Sequence, residues 1–171
     1  MIVSVRDQCP GDREPVRAVN EAAFGGPGEA GLVQRLYADG DVVFGLVAEV
    51  DGRVVGHVLF SRLPIETARG VIQAAALAPL AVLPARQGQG VGTTLVRAGL
   101  ARCRERRISA VVVLGDPGYY GRFGFRAETV QSLQTPWSGP HLMAIELIPG
   151  GLADGHGVAH YPAAFGELPA E

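Results

Sequence analysis

Glycines at positions 88, 90 and 92 of ARQGQGVGTTL (85–95) stand between an apolar run and a helical pattern, where backbone amides can do chemistry that side chains would block. A helix beginning near Gly88 leaves its first four amides without intrahelical acceptors, and the macrodipole adds positive character, so the pattern predicts an anion site. Three phosphate-binding arrangements compete. The dinucleotide fingerprint G-x-G-x-x-G needs glycine at 93 after Gly88 and Gly90, where the chain has Thr93. The Walker A loop needs a lysine, and all fifteen basic residues are arginine. What fits is a pyrophosphate lying over successive amides from Gln87 to Gly92. Taken alone, these residues point to an anion and to nothing narrower.

Other reactive residue types point to less. Without lysine there is no Schiff-base chemistry and no lysine base. Cys9 and Cys103 lie far apart with no C-x-x-C spacing, which predicts reduced thiols, and Cys103 on a helix without a histidine partner is not expected to be a nucleophile. His156 and His160 are spaced like a metal pair, yet flanking glycines and the missing carboxylate of H-E-x-x-H predict no metal site. His57 falls inside a strand-like run and is expected to be partly buried or at an edge.

The elements that position these residues follow from periodicity. Ile2–Val5 reads as a strand, and Arg13–Phe24 as a helix with Asp12 as its cap and Pro15 near its first turn. Glu29–Tyr37 suits a second helix. Val42–Val50 and Arg53–Phe60 are strand runs joined by Asp51-Gly52, the sequence of a tight type I′ hairpin. Ser61–Gly70 reads as a loop. Val71–Leu83 is strand-like, with a bulge or splay expected where Pro79 lacks an amide hydrogen. From Gly88 to Arg107 the period changes to a helical stripe of Val91, Thr94, Leu95, Ala98 and Ala101. Ala110–Leu114 is apolar throughout, as a strand buried on both faces should be. A glycine- and aromatic-rich connection spans 115–125, Leu142–Ile148 reads as a strand, and the tail from Pro149 is loop-rich, anchored by Tyr161 and Phe165. This order predicts one α/β domain over 1–171 with a mixed sheet, its core over about 2–148 and the tail 149–171 packed on it.

Composition sets limits on the partners. Apolar residues make up 47% of 171 and the formal net charge is -2, without charged tails, so no nucleic-acid partner is expected. Five arginines between 97 and 107 lie mostly off the helical stripe and lack interleaved aromatics, which reads as a solvated face. The N-terminal MIVSVRDQCPGDRE has no basic region followed by an apolar one, and the apolar run 74–85 contains two prolines, so a cytoplasmic protein without a membrane segment is expected.

With these residues in view, the stretch Pro79 to Gly92 (PLAVLPARQGQGVG) resembles the acetyl-coenzyme A motif of the GCN5-related N-acetyltransferase (GNAT) superfamily, matched at Gln87, Gly90 and Gly92. Gly115 to Phe125 (GDPGYYGRFGF) resembles the second block of a bacterial subgroup of predicted acetyltransferases, and HYPAAF at 160–165 suggests that subgroup's tail. The resemblance spans Ile2 to about Ile148. It implies the acyl-CoA N-acyltransferase fold, a mixed, centrally splayed sheet flanked by helices, with pantetheine in the opening and Pro79 tolerated on a splayed strand. It implies acetyl-CoA as cosubstrate. Leu80 and Val82 would offer backbone groups on either side of Ala81, the Val82 amide would face the thioester oxygen, and the turn Gln87, Gly88, Gln89, Gly90, Val91, Gly92 and Thr93 would hold the pyrophosphate.

The resemblance further implies an acyltransferase that moves acetyl directly to a primary amine of a small molecule or protein. Tyr120 matches the family's general-acid tyrosine, with Tyr119 as its neighbour and fallback and Phe123 beside them as wall. Many relatives place a glutamate base on the broken strand, but Val71–Ala78 offers only Gln73 as a polar residue, which cannot serve. A water chain ending on a more distant carboxylate, with Glu66 in the preceding loop as the candidate, is one route, and an amine that arrives unprotonated needs no base. The departure leaves a second reading open, a non-catalytic acyl-CoA-binding sensor. The acceptor is expected to enter beside 29–39, 61–70 and 135–141, with Trp137 at that entrance or capping the core, and homodimerisation is common in the family.

Overall fold

The computed structural model of the chain describes residues 1–152 and 156–167. Two compact units divide it: Met1–Ser61, Pro79–Gly99 and the segment from Pro162 form one, and Arg62–Ala78 with Leu100–Tyr161 form the other. Strands β3 (Arg53–Thr67) and β4 (Gly70–Val82) and helix α3 (Val91–Glu105) contribute residues to both. No helix among the described residues is long and apolar enough to cross a membrane.

In the first unit, β1 (Ser4–Asp7) pairs antiparallel with β2 (Val42–Val50), and β2 with the first part of β3. Asp51 and Gly52 have φ of 50° and 74°, the left-handed pair that a type I′ turn requires. Helices α1 (Arg13–Phe24) and α2 (Gly28–Ala38) follow the expected ranges within a residue. They bury Val16, Val19, Leu32, Val33 and Leu36. The other face of β3 receives α3. A Cβ added to Gly56 would come within 2.9 Å of Val91 and Leu95, and one added to Gly99 would collide with the Phe60 ring. Glycine at these two sites lets the helix lie close on the strand. Near the C-terminus, the 3-10 turn Ala163–Glu167 packs on α2 and buries Phe165.

Asp12 holds the N-cap position of α1, as its place before Arg13 predicts, but its side chain does not cap the helix. It ends a 3-10 turn and makes no side-chain cap bond to α1. Its carboxylate instead takes two 2.8 Å bonds from the Arg6 guanidinium and one from the Cys9 amide, 2.8 Å long. A doubly held, buried carboxylate is better satisfied than a cap would be.

In the second unit, β4 and β5 (Ala110–Leu114) run parallel, β5 pairs antiparallel with β7 (Leu142–Glu146), and β8 (Gly157–Ala159) lies on β3 with the two-residue β6 (Leu133–Gln134) beside it. The parallel pairing covers Ala74↔Ala110 to Ala76↔Val112. Pro79 lies beyond its last pair, so its missing amide hydrogen breaks no β4–β5 rung, as a splayed strand predicts.

The Ser61–Gly70 segment is not the expected loop. It continues β3 to Thr67 because Leu63 and Ile65 alternate with Arg62 and Glu66, and β8 supplies a partner at Ile65↔Ala159 and Glu66↔Val158. The reversal is the short turn at 68–69, fixed by Thr67 Oγ1, which donates to the Gly70 carbonyl at 2.8 Å. The long helix begins at Val91, three residues after Gly88. The residues ahead of it form a turn rather than helix.

Candidate functional site

In the first unit the end of β4, a turn and the start of α3 are consecutive. Ala81 is buried, with Leu80 and Val82 half-buried on either side, and the Leu83 amide bonds the Val55 carbonyl at 2.9 Å. A 3-10 turn at Pro84–Arg86 redirects the chain, and Gln87 is extended. Gly88 and Gly90 come after it with φ of 73° and 86°.

A Cβ on either glycine would meet nothing within 4 Å. Crowding by the protein therefore does not require glycine here; the left-handed backbone does. The space over these residues is open, and successive amides in such a backbone form a concave anion nest.

Side chains of the turn bond back onto it. Gln87 Nε2 donates to the Val82 carbonyl at 3.0 Å, and Gln89 Nε2 to the Ala85 carbonyl at 3.2 Å. Thr94 gives both its amide and its hydroxyl to the Gly90 carbonyl, at 3.0 and 2.9 Å. The helical ladder thus begins at Thr94, leaving the amides of Val91, Gly92 and Thr93 ahead of it. The first turn of α3 carries no acidic side chain, so nothing of the helix's own neutralises its positive end.

The second unit holds the aromatic block. Asp116 accepts the Gly118 amide at 2.9 Å and caps the short helix α4 (Pro117–Tyr120), which a 3-10 turn at Gly121–Phe123 continues. Tyr120 is half-buried, its ring edge-on to Tyr119 and Phe125 with centroids 5.0 and 5.7 Å away. Tyr119 also meets Phe123 at 5.5 Å and carries the Arg122 guanidinium 4.7 Å over its ring. Burial raises the Tyr120 phenol well above the ordinary tyrosine range, so it stays protonated and able to donate at neutral pH. Phe125 is core, as expected.

Glu66 is exposed on β3 and bonded to His160 Nε2 at 3.0 Å. Trp137 stands edge-on to Tyr161, centroids 4.6 Å apart. Cys103 is buried, and burial pushes its thiol up to about 12, which leaves it inert. Among the described residues no group of three or more His, Cys, Asp or Glu could hold a metal.

His57 is neither partly buried nor at an edge, as its strand position predicts. It is fully buried, with Nε2 2.9 Å from Gln8 Oε1 and Nδ1 3.1 Å from Asn20 Nδ2. Asn20 Nδ2 also donates to the Val16 carbonyl, and Tyr37 donates to the same Gln8 oxygen at 2.9 Å. Since the Asn20 amide nitrogen can only donate, Nδ1 accepts and Nε2 carries the proton. Burial lowers the ring to about 3, so it is neutral. The only local signal is a set of polar residues at inward positions, and their partners are 37 and 49 residues away in sequence.

Comparison with known proteins bears on both blocks. The acetyltransferase (GNAT) family model matches residues 14–125. The N-acetyltransferase YhbS of Escherichia coli K12 is 39% identical over 136 residues, 79% of this chain and 80% of that protein. A crystal structure of E. coli YhbS in complex with CoA superposes with a TM-score of 0.89 at 34% identity, covering 98% of this chain and 93% of the other. A Brucella melitensis GNAT acetyltransferase in complex with acetyl-CoA gives 0.77 at 34% identity, covering 96% and 98%.

Proposed function

Because the chain belongs to the GNAT acetyltransferase family, we propose that it transfers acetyl from acetyl-CoA directly to a primary amine of a small molecule or protein. The observation that carries this reading is the left-handed turn at Gly88 and Gly90 opening onto an α3 N-terminus without carboxylates. Relatives crystallised with CoA and with acetyl-CoA support the same ligand here.

The amides of Gln87 to Thr93 hold the diphosphate. Backbone groups of Leu80 and Val82 pair with pantetheine across buried Ala81, and the Val82 amide faces the thioester oxygen, where negative charge develops. The amine nitrogen attacks the carbonyl carbon, the C–S bond breaks, and sulfur leaves as thiolate. Tyr120 gives the thiolate its proton, with Tyr119 and Phe123 walling the approach. Glu66, held by His160, takes the amine proton through water. The products are an N-acetylated amine and the free CoA thiol.

Thiol release from acetyl-CoA, followed over polyamines, amino sugars and lysine-bearing peptides, tests this. Tyr120→Phe is expected to lower kcat by about a hundredfold with the KM for acetyl-CoA nearly unchanged. An equal kcat would remove Tyr120 as the acid. Glu66→Gln should lower kcat with the KM for acetyl-CoA nearly unchanged, and an equal kcat would remove Glu66. Tight acetyl-CoA binding without thiol release over the whole panel would instead mark a non-catalytic sensor.

A further inference from the structure

The Tyr120 ring rests on a residue that has no side chain. A Cβ built on Gly115 would lie 2.5 Å from Tyr120 Cε2, 3.0 Å from Cδ2 and 3.6 Å from Cζ, so the ring occupies the place a side chain would take. Its position therefore depends on where the Gly115 peptide lies.

That peptide is held from both sides by one residue. Gly115 donates its amide to the His141 carbonyl at 2.9 Å, and its carbonyl accepts from His141 Nδ1 at 3.0 Å. The β5–β7 register ends at Leu114↔Leu142, and the Gly115–His141 pair adds one further rung. An imidazole N–H fills the role that a backbone amide plays in a regular ladder. Asp116 fixes the first turn of α4: its carbonyl receives the amides of Tyr119 and Tyr120 at 3.0 and 2.9 Å. From His141 to the Tyr120 ring there is thus an unbroken path of a side-chain bond, a pinned peptide and a contact.

We infer that His141 is a positioning residue for Tyr120, acting through the Gly115 peptide. Its consequence for turnover rests on the reading of Tyr120 as proton donor; its consequence for the ring does not. The ring lies against other aromatics and the bare Gly115 backbone, so losing the imidazole bond to the Gly115 carbonyl, with the backbone bond to His141 kept, loosens that support and lets the phenol swing and hydrate. Asparagine can replace the function, because its amide Nδ2 can donate to the Gly115 carbonyl as Nδ1 does.

The experiment is 19F NMR of protein carrying 3-fluorotyrosine, with Tyr120 assigned by its loss in Tyr120→Phe. His141→Ala should shift the Tyr120 signal and move its phenol titration down as burial is lost, while the Tyr37 signal stays in place. His141→Asn should restore both. With the panel amine that turns over fastest, His141→Ala should lower kcat roughly ten- to a hundredfold at unchanged KM for acetyl-CoA, and should cost nothing more in a Tyr120→Phe background. An unmoved Tyr120 signal in His141→Ala, or a full further loss in the Tyr120→Phe background, would overturn the inference. If Tyr120→Phe leaves kcat unchanged while the signal still responds to His141, positioning stands and the proton-donor role falls.

Discussion

Gly90 shows how one residue can matter for direction rather than for room. Its φ of 86° lies where a β-branched side chain is strained. Gly90→Val should therefore turn the neighbouring amides away from the nest. Titration calorimetry is expected to show acetyl-CoA affinity down at least about tenfold, against a folding cost of only about 1–2 kcal/mol in a parallel denaturant melt. Equal affinity would place the diphosphate elsewhere. His57 supports a second prediction. Its ring titrates near 6.5 in the unfolded chain and at about 3 when folded, so below pH 6.5 the unfolded state binds a proton that the folded state refuses. Stability should be full above pH 6.5 and fall by about 1.4 kcal/mol per pH unit down to pH 4. Asp12, held low by Arg6, contributes its own loss only below the ordinary carboxylate value, so the window between belongs to His57. Urea melts of wild type and His57→Gln check this; equal slopes in the two would contradict it. The glycines were legible because three of them cluster where an apolar run gives way to a helical stripe. His57 was not, since a strand position says nothing about a donor supplied by α1 and an acceptor supplied by the segment after β1.

At the scale of elements, legibility tracked the range of the deciding interactions. β2, the turn after it, the start of β3 and all of β5 are set by local turn chemistry and local apolar runs, and these have their expected boundaries. The extension of β3 through Ile65 needs β8, whose neighbour His160 lies 94 residues from Glu66, and no local pattern reports such a partner. Pro64 within the segment lacks an amide donor, yet its carbonyl takes the His160 amide at 3.0 Å, so the missing donor leaves the pairing to β8 usable. The close approach of α3 to β3 at Gly56 and Gly99 is likewise invisible in one-dimensional pattern. Gly99→Leu should drive the helix off Phe60, costing about 1–3 kcal/mol by chemical denaturation and weakening acetyl-CoA binding in step. Unchanged stability and affinity would show that the contact tolerates a side chain.

For the whole molecule, composition excluded chemistries more sharply than it selected one. A chain whose fifteen basic residues are all arginine has no lysine for a Walker A loop or a Schiff base, and the proposed diphosphate site uses backbone amides alone. The family followed from two motifs and is borne out by relatives of 39% identity; the acceptor carries no motif, because its recognition depends on which side chains converge in space. Ligand linkage should be visible across the fold. Acetyl-CoA at a hundred times its Kd stabilises by about 2.7 kcal/mol, so the Tm should rise by about 5–10 °C, and a flat melt would argue against specific binding.

The most direct measurement is a crystal structure with acetyl-CoA bound. Diphosphate oxygens should lie about 2.7–3.1 Å from successive amide nitrogens between Gln87 and Thr93. A diphosphate bound away from the α3 N-terminus, or those amides turned from it, would contradict the account.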